Sequence, residues 1–84
     1  MKNKEILKKQ VVYRSTHRGS KEMDIFLGNF TKKYIDKFNY DELTNLLNIL
    51  DVEDEIIYKW YFDKIDNNLI PNNNVSILLR NHKL

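Results

Sequence analysis

The sequence contains no cysteine and no alanine, and only two glycines and one proline interrupt its 84 residues. Without cysteine, neither a disulfide framework nor a thiolate zinc site can form, so packing must provide the stability. No run of eighteen apolar residues is present, which argues against a transmembrane helix, and the lysine-rich start lacks the apolar stretch of a secretory signal. We therefore expect a cytoplasmic protein that does not insert into a membrane.

The remaining composition describes one small soluble domain that spans residues 1–84. Hydrophobic side chains make up 42% of the chain and charged side chains 31%. Two domains of half this length would need disulfides or metals to hold them. A single domain of this size has an expected radius of gyration of about 12 Å and little volume to enclose a substrate. A deep catalytic cavity is not expected.

Apolar residues recur at steps of three and four along most of the chain, which predicts helices and no strands. The steps place a first helix of about three turns ending near Ser15 to Gly19, a second from about Ser20 to Phe38, a third from about Tyr40 to Leu50, a fourth from about Glu53 to Lys64 and a last from near Asn74. The asparagine-rich stretch 66–74, with Pro71, is the one clear break. We expect an all-α, antiparallel bundle of five helices.

Two local signals refine this expectation. Asn39 followed by Glu42 reads as a capping box at the start of the third helix. Gly28 lies inside the apolar stripe of the second helix, where a neighbouring backbone or a bulky ring is expected to approach.

The net charge of +2 conceals a strong asymmetry along the chain. Residues 1–22 carry seven cations and two acids, a balance of +5, so the rest of the chain sums to −3. A basic first helix suggests a nucleic-acid-binding or antitoxin-like interaction module. Against it, residues 41–66 hold eight acids and two lysines, a local charge that would repel phosphate. Trp60, at helical spacing with Ile56 and Ile57, is read as a core residue.

The polar segment 17–24 joins the first two predicted helices and allows two readings. In one, it is only a helical corner, with Ser20 as N-cap and with Glu22 and Asp24 favoured by the helix dipole. In the other, it is an exposed recognition corner that presents Arg18 beside Gly19. Spacing alone does not separate the two. His17 has no convergent partners for a metal site or for catalysis, and the two glycines lie too far apart for a dinucleotide fingerprint.

The run His17-Arg18-Gly19-Ser20-Lys21-Glu22-Met23-Asp24 resembles the R-G-x-x-E-x-D signature of the SdhE family, the small flavinylation or assembly factors of succinate dehydrogenase. A second stretch, from Ile49 through the acidic turn to Trp60, is similar to the family's segment of leucine pair, acidic turn and tryptophan. The resemblance covers about residues 10–82.

The resemblance implies a five-helix chaperone in the bacterial cytoplasm, monomeric when free and not itself an enzyme. Its partner would be the flavoprotein subunit of succinate dehydrogenase, with fumarate reductase as a further client left open. The chaperone would promote covalent attachment of FAD to that subunit and hold no cofactor stably itself, although a transient contact with FAD stays open. Nucleic acid would not be a partner. Partner-binding residues carried over from the motif and its surroundings are Arg18, Gly19, Glu22, Asp24, His17 and Arg14.

Within this picture Arg18 would pair with a carboxylate, and Glu22 would either hold that arginine or meet a donor of the partner. The chain departs from the family pattern at a few positions. His17 stands where an arginine is common, a loss of charge that Arg14 would offset, while Ser20 replaces a methionine, Met23 a leucine, and Glu55 a frequent proline. The departures bear on affinity and partner range rather than on the fold.

Overall fold

Five helices account for the ordered architecture of this computed structural model, which describes residues 3–83. They are α1 Lys4–Thr16, α2 Lys21–Tyr34, α3 Tyr40–Leu50, α4 Asp54–Phe62 and α5 Asn74–Asn81. The described residues contain no strand, and their Cα radius of gyration is 11.9 Å. The predicted all-α bundle of five helices is confirmed, and so is the irregular break before α5.

One apolar core joins the five helices. α1 packs against α2 and α3, and α3 packs against α5. The predicted stripe of α2 is buried from Met23 to Phe30. The apolar spacing of α3 predicts Leu43, Leu46, Leu47 and Leu50 on its inner face. Leu47 is only half-buried, however, and Ile49 is fully buried instead. Trp60 is 5% exposed and lies in this core, as its spacing predicted.

Side-chain caps fix where the helices begin. Asn39 and Glu42 form the predicted capping box of α3: the Glu42 amide donates to Asn39 Oδ1 at 2.8 Å, and the Asn39 amide donates to Glu42 Oε1 at 2.9 Å. A second box that the sequence analysis did not predict starts α5, where Asn73 and Ser76 exchange equivalent bonds of 2.9 Å. These bonds satisfy amides that a helix start leaves without partners.

The predicted end of α2 at Phe38 is wrong, because the helix ends at Tyr34. The amides of Lys37 and Phe38 both donate to the Tyr34 carbonyl, at 2.8 and 3.0 Å, so the chain closes into a tighter turn. Phe38 still reaches the core at 3% exposure, and its ring stacks on Tyr34 with centroids 5.2 Å apart. The apolar spacing therefore continued into a turn that buries the same face.

The fourth helix is shorter at both ends than the predicted span from Glu53 to Lys64. Glu53 is the N-cap, with extended backbone angles, and the helix proper begins at Asp54. Lys64 has a φ of 58°, in the left-handed region, which stops the helix after Phe62.

The exposed apolar side chains include Tyr58 and Phe62 on α4, at 41% and 39% exposure, whereas Tyr61 is 9% exposed and its hydroxyl donates to the His82 carbonyl. The monomeric state stays a prediction. No helix in the described part of the chain combines the length and the apolar character needed to cross a bilayer.

The capping box of α3 gives a direct test of how the bundle is held together locally. Replacing Asn39 with alanine should lower the free energy of unfolding by about 1 kcal/mol, because the Glu42 amide loses its acceptor. The matched change is Asn29→Ala, in the exposed middle of α2. It removes one exposed hydrogen bond, from Asn29 Nδ2 to the Ile25 carbonyl, but alanine is the better helix former, so stability should not fall. Urea titrations of both variants measure this difference, and equal losses would contradict the assignment of the cap.

Candidate functional site

The corner between α1 and α2 is the segment that carries the sequence motif. α1 ends at Thr16 with His17 as its C-cap, and α2 begins at Lys21. Ser20 is the N-cap of α2, as predicted, and its hydroxyl accepts the Met23 amide at 3.3 Å. We define the RG corner as residues 17–24.

The Arg18 side chain packs against its own protein and bonds to groups within it. Its side chain is only 10% exposed. Nη1 donates to the carbonyls of Arg14 and Leu50 at 3.0 and 2.7 Å, Nη2 donates to the Val52 carbonyl at 3.1 Å, and Nε donates to Asp54 Oδ1 at 2.7 Å. A guanidinium has five N–H donors and no acceptor, so this set leaves Arg18 little capacity for a carboxylate of another protein.

The Asp54 carboxylate binds both Arg18 and Gly19. Its Oδ1 accepts from the Arg18 side chain, and its Oδ2 accepts the Gly19 amide at 2.7 Å. As the first residue of α4, this carboxylate also lies at the positive end of a helix dipole, where a negatively charged side chain is stabilising. The corner is therefore fastened to the start of α4, which lies 35 residues further along the chain.

The two acidic residues of the motif have opposite surroundings. Asp24 is half-buried, and its Oδ1 accepts the Arg18 amide at 2.6 Å, so it stabilises the corner from within. Glu22 is exposed, and no hydrogen bond or ion pair involves its carboxylate among residues 3–83. Glu22 therefore does not hold Arg18, which is bound by Asp54 instead. It is the motif acid that remains free to meet a partner.

His17 and Arg14 flank the corner on the α1 side. The His17 ring is exposed and stacks on Tyr13 with centroids 4.0 Å apart, and its Nδ1 lies 2.9 Å from the Tyr13 carbonyl oxygen. Arg14 pairs with Asp51, and both of these side chains are about half exposed. Arg14 of α1 and Arg18 of the corner thus both bind residues between the end of α3 and the start of α4.

Gly19 is exposed and has no positive φ, so its role is not a special backbone angle. A Cβ built at this position would lie 3.2 Å from Asp54 Oδ2, a tight approach. Gly28 differs, because there a Cβ would meet Thr16 Cγ2 at an ordinary 3.6 Å. The neighbour expected at Gly28 is therefore the last turn of α1, and it leaves room for a methyl group.

Sequence reasoning grouped the residues of the corner but missed Asp54, which binds both Arg18 and Gly19. The acidic residues before Ile56 lie at the start of α4, where the helix dipole favours negative charge. Their position at a helix start is a usable signal for that role, whereas the pairing with Arg18 depends on how the turn after α1 comes to lie beside the start of α4.

The two glycines offer a matched pair of substitutions. Gly19→Ala should lower the free energy of unfolding by about 1 kcal/mol, because the new methyl group displaces a carboxylate that Arg18 holds in place. Gly28→Ala should raise it by about 1 kcal/mol, since alanine is the better helix former and nothing obstructs it. Thermal or urea unfolding of both variants gives the comparison. A Gly19→Ala variant as stable as Gly28→Ala would contradict the tight contact with Asp54.

Comparison with known proteins places this chain in a family. The family model described as "Flavinator of succinate dehydrogenase" matches residues 9–83. Among curated proteins, the "FAD assembly factor SdhE" of Acetobacter pasteurianus is 30% identical over 73 residues, which are 87% of this chain and 64% of that protein. No solved structure matches.

Mitochondrial relatives show the same likeness. The "Succinate dehydrogenase assembly factor 2, mitochondrial" of Scheffersomyces stipitis is 36% identical over 67 residues, covering 80% of this chain and 45% of that protein. The protein of the same name from Lodderomyces elongisporus is 33% identical over 67 residues, with 80% and 41% covered. The chain thus spans less than two thirds of the length of these relatives. It belongs to the family of flavinators of succinate dehydrogenase, the SdhE family that the motif predicted.

Proposed function

We propose that this chain is an assembly chaperone that binds the flavoprotein subunit of succinate dehydrogenase and promotes covalent attachment of its FAD. The observation that carries the proposal is the R-G-x-x-E corner, which lies at an exposed turn of a chain in the flavinator family. The relatives are named as assembly factors, which supports a role without catalysis of its own. The redox chemistry belongs to the flavin, and the chaperone supplies orientation.

The exposed side of the RG corner is the surface that we assign to the partner. Glu22, Gly19 and His17 are exposed there, while Arg18 and Asp24 support them from the inside. Glu22 has no partner among the described residues, so a cationic group or a backbone amide of the flavoprotein can bind it without breaking an internal bond. This arrangement fits recognition through one corner and needs no enclosed cavity. The site of action that we propose is the bacterial cytoplasm.

The nucleic-acid alternative gains no support from the basic first helix. Lys8 pairs with Asp36 at 3.2 Å and with Glu5 at 3.6 Å. The pKa of Lys8 lies above its ordinary value, chiefly because the ammonium donates a hydrogen bond to Asp36. Part of the charge that suggested a phosphate-binding helix is therefore used within the molecule. Our proposal has no nucleic-acid partner.

The exposed motif acid provides the test. Glu22→Gln should weaken binding to the purified flavoprotein subunit by about tenfold or more, as truncation of one member of an interfacial charge pair does. Its thermal stability should change little, because no internal bond of Glu22 is lost. Affinity can be measured by calorimetry or by biolayer interferometry.

The control for this test is Glu5→Gln. Glu5 is also an exposed acid in the first turn of a helix, but it lies at the opposite end of α1 from the corner. The Glu5→Gln variant should bind the flavoprotein subunit with the affinity of the wild type. Equal affinity of the Glu22→Gln and wild-type proteins would count against recognition through this corner.

A further inference from the structure

We infer that Asp54, which lies outside the motif, is the positioning residue for flavoprotein recognition, and that Arg18 acts through Asp54 rather than by touching the partner. The inference rests on the proposed function and assigns different roles within the motif. Glu22 would contact the flavoprotein, whereas Arg18 and Gly19 would give the corner the shape that presents Glu22.

The first support is the way two carboxylates hold the corner backbone. The amides of Arg18 and Gly19 lie between α1 and α2, and no backbone carbonyl among residues 3–83 accepts them. The Arg18 amide donates to Asp24 at 2.6 Å, and the Gly19 amide donates to Asp54 at 2.7 Å. Two consecutive amides are thus bound by acids from different helices. The corner owes its conformation to these carboxylates and not to a positive φ at Gly19.

The second support is what a partner contact would cost at Arg18. To reach another protein, the guanidinium would have to leave Asp54 and the carbonyls of Leu50 and Val52. Those groups would then lose the donors that Arg18 supplies, in a part of the molecule where the Arg18 side chain is 10% exposed. Breaking a largely buried charge pair costs far more than breaking an exposed one. A direct contact between Arg18 and the partner would therefore cost more free energy than a role through Asp54.

The neighbouring pair Arg14 and Asp51 is a natural control. It also joins α1 to the segment before α4, and it has the same charges. Both side chains are about half exposed, and exposed pairs of this kind contribute little. If only the general attraction between α1 and this segment mattered, Asp51 and Asp54 would have similar importance. If flavoprotein binding depends on the carboxylate that accepts the Gly19 amide, replacing Asp54 should weaken binding and replacing Asp51 should not.

The first experiment observes the corner directly. The chain has two glycines, Gly19 and Gly28, so labelling with [15N]glycine should give two amide resonances. In the wild type we expect the Gly19 amide to exchange slowly with solvent for an exposed residue, because it is bound to Asp54. Asp54→Asn should shift the Gly19 resonance and speed its exchange while Gly28 stays in place. Fast exchange of the Gly19 amide in the wild-type protein would overturn the inference, and this measurement requires no substitution.

The second experiment measures affinity for the purified flavoprotein subunit at a temperature where every variant is folded. Asp54→Asn should weaken binding by about tenfold, within the range seen for residues that act on a site without touching the ligand. Asp51→Asn should change it less than about twofold, as expected for an exposed pair. Equal affinity of Asp54→Asn and wild type would overturn the inference.

Combining substitutions separates an indirect from a direct role of Arg18. If Arg18 acts through Asp54, the double variant Arg18→Lys/Asp54→Asn should bind no more weakly than the weaker single variant. If Arg18 contacts the flavoprotein itself, the two losses should multiply, and the inference would be wrong. A wild-type chain that does not bind the flavoprotein at all would overturn the proposed function instead, and the inference with it.

Discussion

The ion pair between Arg18 and Asp54 is the interaction on which the candidate site depends. It joins the turn after α1 to the first residue of α4, and the same carboxylate binds the Gly19 amide. Since each oxygen of Asp54 holds a different motif residue, the side chain of Arg18 and the backbone of Gly19 cannot move independently. The corner is thereby tied to the start of α4 through both its backbone and the Arg18 side chain.

This pair also explains the division of charge along the chain. The first 22 residues are strongly basic and the later part is acidic, yet the net charge is only +2. In the folded protein Arg14 and Arg18 on the α1 side meet Asp51 and Asp54 before and at the start of α4. Complementary charges from distant parts of the sequence thus meet at the corner. Glu22 remains exposed beside these pairs, and we propose that a protein partner binds its carboxylate.

Much of the fold was predictable because its signals are local. The apolar steps from Met23 to Phe30 and the Asn39 capping box each depend on residues within one or two helical turns. The ends of α2 and α4 were not predictable in this way: Phe38 stays on the buried face after the helix has become a turn, and Lys64 adopts a left-handed angle that no residue type there demands. The corner was found through its motif. The internal role of Arg18 was not, because it depends on the contact between the turn after α1 and the first residue of α4.

We propose that this chain promotes covalent flavin attachment, and this proposal can be tested by reconstitution from purified components. The flavoprotein subunit of succinate dehydrogenase, prepared without flavin, is incubated with FAD in the presence or absence of the chain. Covalent flavin is then measured by fluorescence of the denatured subunit in a gel. Our account predicts that flavin accumulates faster and to a higher level when the chain is present. Equal rates and levels with and without the chain would contradict it.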